Sequence, residues 1–455
     1  MGREPHVLVI PYPAQGHVMP LMKLSMKIAE HGVKVTFVNT HFIEAKIIAS
    51  MPEKADWSHL SLVSIPDGLE LEDDRKDGTK TRESILRVMP GHLKNLIEKI
   101  NQSSDCEQIR CVVADTSVGW ALEVAKKMGI PGTAVTPAGP ANVALSLHIP
   151  KLIEDGVIDS NGTPLSDELI SLSKETPGWK VNEFTWSCPN DSKVHKLIFE
   201  YASATVQTLR NSNWVLCNSF YELDSSACDL VPKMLTIGPL LASNHSGHLA
   251  GNFWPEDSAC LSWLDKQAKD SVIYVSFGSI AKLSQQQFDE LAVALESIDQ
   301  PFLWVVRKDL VKLSIPEFPE GFTERVGDRG KVVEWAPQEK VLAHSSVACF
   351  LSHCGWNSTM EGLSMGIPFL CWPYFADQFH NRSYICDTWK NGLELIPDIN
   401  GIITRHEIET RVKTLLTDDA VKANALKLKE MARKSLAQGG SSFKNFQSFI
   451  AHIKY

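Results

Sequence analysis

An α/β fold built from two doubly wound halves is predicted for this chain, and three observations predict it. Short apolar runs of buried-strand character alternate with helix-length amphipathic stretches. The alternation fails once, near residues 241–258, where Ser243-Asn-His-Ser-Gly-His248 and Gly251-Asn252 are turn-forming and linker-like. The 455 residues also amount to two or three domains at about 150 residues each. With 44% hydrophobic and 22% charged residues, the composition is that of packed cores and excludes disorder across the chain.

The elements follow in order. His6–Ile10 reads as a strand, Met19–Glu30 as a helix stopping at His31-Gly32, and Val33–Val38 as the next strand. Such a unit implies a parallel pair with a right-handed crossover. Val112-Val-Ala114 ends on Asp115 and leads into a helical stretch to Met128; Ala134-Val135 and Trp214-Val-Leu216 read as further buried strands. Beyond the break come a short helix at Cys260–Asp265, a strand at Val272–Val275, a helix at Gln285–Leu295 and a strand at Phe302–Val306. Val332-Val333, Ala348–Leu351 and Phe369-Leu370 complete the second set, and Asp418–Ile453 is mostly helical. The expected organisation is a Rossmann-like domain over 1–240, a linker over 241–258, a second Rossmann-like domain over 259–435, and a C-terminal helix over 436–455 packing back on the first domain. The two domains are expected to face each other across a cleft. Open parallel sheets bind ligands at their carboxyl edges, so the residues to read are those just after strands.

Several function classes are set aside. Lys plus Arg number 45 against 54 Asp plus Glu, a net charge of −9, whereas a nucleic-acid binder shows a basic excess or stripe. The apolar run Val7–Ile10 meets Pro11 and Pro13, without the apolar core of a signal peptide. The uncharged stretches Met128–Pro150 and Val341–Met360 hold too many Pro, Asn, His and Ser to span a bilayer. No transmembrane segment and a cytoplasmic, monomeric protein are expected. The ten cysteines contain no C-x-x-C, and the Cys106/Cys111 and Cys349/Cys354 spacings match no zinc pattern, so reduced thiols are expected. G-x-G-x-x-G and Walker A sequences are absent, which removes the main support for a dinucleotide enzyme or a P-loop triphosphatase.

Three segments carry chemistry. The first strand runs into Pro11-Tyr-Pro-Ala-Gln-Gly-His17, a loop expected to open onto a helix, and Asp115 follows another strand of the same half. Taken singly, His17 is as readily a surface or core histidine, and Asp115 a helix N-cap. Together they could form a base and its orienting carboxylate. In the second half, Trp335-Ala-Pro-Gln338 is followed by Leu351-Ser-His-Cys-Gly-Trp-Asn-Ser-Thr-Met-Glu361 and by Gly366-Ile-Pro-Phe-Leu-Cys-Trp-Pro-Tyr-Phe-Ala-Asp-Gln378.

The block from Trp335 to Gln378, with Val275-Ser-Phe-Gly-Ser279, the Pro-x-x-Gly-His loop and Asp115, resembles the plant family 1 UDP-dependent glycosyltransferases of secondary metabolism. The subgroup numbered 83 is the nearest suggested, and the resemblance runs the length of the chain. It implies a GT-B fold, a UDP-glucose donor and inverting transfer to a hydroxyl. On that reading Trp335 stacks on uracil, the main chain of Ala336 pairs with its edge, Gln338 lies near the ribose, and Glu361 accepts the ribose hydroxyls. Core packing for Trp335 and a solvated helix face for Glu361 are the alternatives. The diphosphate would sit at a helix start near Trp356 or Asn357, approached closely at Gly355 and met by His353, Asn357, Ser358 and Ser279, with Gly16 also assigned to the UDP-sugar set. The resemblance assigns sugar hydroxyls to Asp377 and Gln378, Gln in that place accompanying glucose. Trp356 in place of Arg argues against a glucuronic acid donor, and Pro137 stands where some relatives place a Thr near the sugar. No Asp-x-Asp is placed to clamp a metal diphosphate, so neither a metal nor another cofactor is expected. Acceptor contacts are expected from Tyr12, Pro13, Ile85, Met89, Trp120, Asn142, Leu145 and Phe375, an apolar set suited to phenolics, flavonoids, lignans or terpenoids. A non-catalytic UDP-sugar sensor would keep the second-half block and need no base; Gly16-His17 and Asp115 count against it.

Overall fold

The computed structural model describes residues 5–50, 59–70, 73, 75, 77–102, 108–188, 191–242, 251–307 and 317–454. Cys106 and the run Ser243–His248 lie outside the described residues. The chain divides into two compact units, one of Met1–Trp254 with Lys434–Tyr455 and one of Pro255–Arg433.

The first unit is a sheet of seven strands: β1 His6–Ile10, β2 Lys34–Thr40, β3 Leu60–Ile65, β4 Ile109–Asp115, β5 Gly132–Thr136, β6 Trp214–Cys217 and β7 Met234–Thr236. Their order is β3-β2-β1-β4-β5-β6-β7, with every pair parallel. All five residues of β1 are buried, as expected of a parallel strand covered on both faces. Successive side chains point to opposite faces. Val7, Val9, Val35 and Phe37 pack with Leu21 and Leu24 of helix Gln15–Ala29 and with Phe446, Phe449 and Ile450 of helix Ser441–Lys454. Leu8, Ile10, Val38 and Ala114 pack on the other face with Ile85, Met89 and Leu93 of helix Gly78–Gln102.

The second unit has six strands: β8 Val272–Ser276, β9 Phe302–Val305, β10 Gly330–Val333, β11 Val347–Ser352, β12 Phe369–Cys371 and β13 Gly392–Glu394. Their order is β10-β9-β8-β11-β12-β13, again wholly parallel. Ile273, Val275, Phe302 and Trp304 pack against Phe288 and Leu291 of helix Gln285–Ser297 and Ile408 and Val412 of helix Arg405–Thr417.

Both sheets share one plan. The chain winds outward through three strands, returns to lay the fourth beside the first, and winds outward the other way. The connectivity is Rossmann-like, and the reversal lies between β1 and β4 in one unit and between β8 and β11 in the other. His17, Asp115, Ser279 and His353, singled out from the sequence, stand at or after the ends of those four strands, while Trp335 follows β10 and Asp377 follows β12.

Three features differ from the sequence expectation. The first helix begins at Gln15, so Gly16 and His17 stand in its first turn and not in a loop before it. The strands β7 and β13, three residues each, are too short to give a readable period. The stretch read as mostly helical from Asp418 divides into two helices, Asp419–Leu436 and Ser441–Lys454, so the last helix starts at Ser441 and not at 436. No helix among the described residues is long and apolar enough to cross a membrane.

Candidate active site

In the first unit, Pro11 and Pro13 end β1, and the His17 N–H closes the first helical turn on the carbonyl of Ala14 at 3.0 Å. Asp115 ends β4 and starts the short turn Thr116–Val118. One of its oxygens caps that turn, accepting the Ser117 N–H at 2.8 Å. The other, Oδ2, lies 2.8 Å from Nδ1 of His17. The cap and the orienting carboxylate, alternatives in the sequence, are two oxygens of one side chain. Asp115 is fully buried, while the His17 side chain keeps 27% of its surface exposed. A carboxylate only accepts, so Nδ1 carries the hydrogen and Nε2 presents a lone pair.

The Tyr12 ring lies 5.0 Å from that of His17 and edge-on to Tyr201 at 5.6 Å. The two phenols are hydrogen-bonded, and burial pushes both above the usual tyrosine range. The Arg82 guanidinium stands over the Tyr201 ring at 5.2 Å and pairs with Glu200 at 3.0 Å. Sequence reading missed Tyr201, which comes from helix Ser192–Asn211, far along the chain and without a motif. Of the residues expected at the acceptor, Tyr12 and Pro13 are half-buried, as is Phe375 of the second unit. Ile85, Met89 and Trp120 belong to the sheet–helix core. Asn142 is buried and accepts from the Thr185 hydroxyl at 2.6 Å. Leu145 is wholly enclosed, so it fills the core and presents no surface.

In the second unit, β8 runs into Phe277-Gly278-Ser279, and β11 runs into His353-Cys354-Gly355 and helix Trp356–Met365. Two glycines make room for the His353 ring. A Cβ on Gly278, where φ is +67°, or on Gly355 would lie 2.5 Å from Nε2. Burial lowers the His353 pKa to about 4 against the opposing pull of a hydrogen bond to the Ser276 backbone, and Arg307 adds to the lowering, so the ring is neutral at physiological pH. Arg307 follows β9 and donates to the carbonyls of Ser279 and Ala281, bracing the Gly278 turn. It too was missed, since one Arg after a strand carries no motif.

Trp335 is half-buried and Ala336 buried. The Trp335 carbonyl accepts the Asp257 N–H at 3.0 Å. Gln338 is a hub: its Oε1 accepts from the Tyr274 hydroxyl at 3.0 Å, and its Nε2 donates to Ser358 Oγ at 2.9 Å and Glu361 Oε2 at 2.8 Å. The structure therefore brings Gln338, Ser358 and Glu361 together, and Glu361 is buried, not on a solvated face. Trp356 is buried beside Trp389, so its side chain is core. Asn357, in the same turn, is half-buried.

Asp377 stands at the head of helix Gln378–Ser383. Gln378 Oε1 accepts the backbone N–H groups of Tyr374 and Phe375 at 2.8 and 3.0 Å, which leaves its NH2 as the donor end. Cys354 and Ala376 both take left-handed backbone conformations, φ 64° and 56°, uncommon for residues with a side chain. Among the described residues no group of three His, Cys, Asp or Glu could hold a metal ion.

Comparisons with known proteins fit this geometry. A family model described as UDP-glucoronosyl and UDP-glucosyl transferase matches residues 203–435, and one described as glycosyltransferase, N-terminal domain, matches residues 4–60. The chain is 44% identical to UDP-glycosyltransferase 83A1 of Arabidopsis thaliana, over 100% of this chain and 97% of the relative. It is 31% identical to linamarin synthase 1 of Manihot esculenta, over 99% and 97%. Among solved structures it resembles a Polygonum tinctorium UDP-glucosyltransferase capable of glucosylating indoxyl, with a TM-score of 0.84, 26% identity and 100% of both chains covered. It also resembles Os79 from O. sativa in complex with UDP, with a TM-score of 0.81, 26% identity and 98% and 100% covered.

Proposed function

This chain belongs to the UDP-dependent glycosyltransferases of plant secondary metabolism, the subgroup numbered 83 included, and from that premise we propose that it transfers glucose from UDP-glucose to a hydroxyl of a small lipophilic acceptor, with inversion to a β-glucoside. The observation that carries this reading is the His17–Asp115 pair, since a protein that only bound a UDP-sugar would need no oriented base.

In the proposed reaction Nε2 of His17 takes the proton of the acceptor hydroxyl as its oxygen attacks the anomeric carbon. General-base assistance of this kind contributes about 10²–10⁴-fold. Asp115 holds the tautomer and steadies the imidazolium that forms. UDP leaves from the opposite face of the sugar. The start of helix Trp356–Met365 meets its growing negative charge with backbone N–H groups and the positive end of the helix dipole. His353, being neutral, serves there as a hydrogen-bonding group and not as a cation. Trp335, Ala336, Gln338 and Glu361 are assigned to uridine, Ser279, His353, Gly355, Asn357 and Ser358 to the diphosphate, and Asp377 and Gln378 to the glucose hydroxyls. At the diphosphate the assigned groups are neutral side chains and backbone donors, and the proposed reaction uses no metal.

The aromatic pair Tyr12–Tyr201 beside the base favours phenolic, flavonoid, lignan or terpenoid acceptors. Action as a cytoplasmic monomer belongs to the same reading, to be checked by fractionation and light scattering. The deciding experiment incubates the protein with UDP-glucose and a panel of such acceptors and follows UDP and glucoside. NMR of the product should show a β-linkage. An α-linkage would overturn inversion, and UDP-glucose binding without turnover on any acceptor would favour a sensor.

A further inference from the structure

Asn381 is 1% exposed and lies one turn into helix Gln378–Ser383, its own N–H bonded to the carbonyl of Asp377 at 2.9 Å. Its Nδ2 does two things. It donates to the carbonyl of Cys354 at 2.9 Å and to Oδ2 of Asp377 at 3.0 Å. The first acceptor is in the turn after β11, the second in the loop after β12. One amide group therefore ties together the two loops assigned to the diphosphate and to the sugar.

The tie to Cys354 has a geometric consequence. Cys354 sits at φ 64°, with its N–H held by Ser352 Oγ at 3.1 Å and its carbonyl held by Asn381. A trans peptide is planar, so a carbonyl fixed in one direction fixes the next N–H in the opposite one. The next N–H is that of Gly355, at the head of helix Trp356–Met365. Asn381 thus sets the aim of the first backbone donor of that helix start. With its other hydrogen it sets the rotamer of Asp377. A side chain at this depth without a donor would leave both a strained carbonyl and a carboxylate oxygen short of a partner.

We propose that Asn381 is a positioning residue that locks the Gly355 N–H onto the donor diphosphate and the Asp377 carboxylate onto the sugar as one unit. It touches neither ligand; it acts through the two groups that do. The proposal rests on the UDP-glucose reading above.

The test compares wild type with Asn381→Ala and with Asn381→Asp, which keeps the side-chain volume but sets a carboxylate against the Cys354 carbonyl and Asp377. Calorimetry gives the affinity for uridine and for UDP, steady-state transfer gives KM and kcat for UDP-glucose, and circular dichroism checks the fold. Uridine affinity should stay within about twofold, UDP affinity should fall about tenfold, and kcat/KM for UDP-glucose should fall further, as expected when a buried donor to a carboxylate is removed. Asn381→Asp should be at least as impaired as Asn381→Ala. Equal weakening of uridine and UDP, or UDP affinity and kcat/KM within twofold of wild type in both variants, would overturn the proposal. Should Asn381→Ala not fold, the UDP-to-uridine ratio is read on Asn381→Ser, where a ratio equal to wild type together with impaired transfer also counts against it. Wild-type protein that binds no UDP would refute the functional reading itself, a result separable from all of these.

Discussion

Each of the two units places a histidine beside the reversal of its sheet, and the two rings stand in opposite surroundings. His17 follows β1 and His353 follows β11, each at the reversal of a sheet with the same strand order. Both are partly exposed. His17 has a buried carboxylate 2.8 Å from Nδ1, which fixes the ring's orientation and tautomer. His353 packs against two glycines, and burial together with the field of Arg307 holds it neutral. The fold supplies a place where a side chain after a strand meets a helix start. Which charge stands behind the ring decides whether that place can work as a base or only as a neutral hydrogen-bonding group.

The comparison can be broken or sharpened in four ways, from the largest effect down. Replacing His17 with Ala should lower transfer about 10²–10⁴-fold. UDP affinity by calorimetry should be unchanged; a matching loss of UDP affinity would mean that the two sites are not separate in function. The second concerns acid. With a folded pKa of about 4 against 6.5, His353 stays neutral in the folded chain where the unfolded chain already takes a proton. Its share of stability is therefore intact above pH 6.5 and lost as pH falls from 6.5 to 4. In urea unfolding between pH 7.5 and 4.5, wild type should lose up to about 3 kcal/mol more than His353→Gln. The buried His380, held down to about 3, is common to both proteins and cancels. Third, Asp115→Asn keeps an oxygen for the Ser117 N–H but removes the charge behind His17. Transfer should fall by the equivalent of about 1.5–3 kcal/mol while the melting temperature moves little. A large thermal loss would show that Asp115 serves the turn more than the base. Last, Gly278→Ala should cost about 1–3 kcal/mol through backbone strain and the displaced His353 ring, and UDP binding should weaken with it. Gly32→Ala is the control: it shares a positive φ, +71°, but has open space around it, so it should lose stability and leave UDP binding alone.

Much of this site was legible in the sequence because its parts are local. The Trp335–Gln378 block keeps uridine, diphosphate and sugar candidates in consecutive strand-to-helix turns, and such turns can be read from the order of apolar runs and glycines. His17 and Asp115 could be named because each directly follows a strand, although only the structure shows a single carboxylate serving both a cap and a ring. What stayed hidden is what depends on contacts between distant segments. Tyr201 meets Tyr12 across most of the first unit's sequence. Arg307 acts by reaching into the turn after β8, and Gln338, named from the sequence only as lying near the ribose, joins Tyr274, Ser358 and Glu361. The buried acceptor candidates show the opposite error. An apolar residue near a reactive loop, such as Leu145 or Met89, satisfies a core as well as a pocket, and hydrophobicity alone does not distinguish them.

The last helix carries a consequence for the birth of the chain. Phe446, Phe449, Ile450 and Ile453 complete a cluster begun by Val7 and Val9, and Gln447 bonds to His31 across 416 positions. The second unit is thus inserted in sequence within the first, whose core stays open until helix Ser441–Lys454 has left the ribosome. Contacts this remote in sequence close slowly, and the half-built face of the sheet is sticky in the meantime. The unit encoded first is therefore the one that must finish last, and truncating residues 441–454 should harm its folding more than that of the unit lying between.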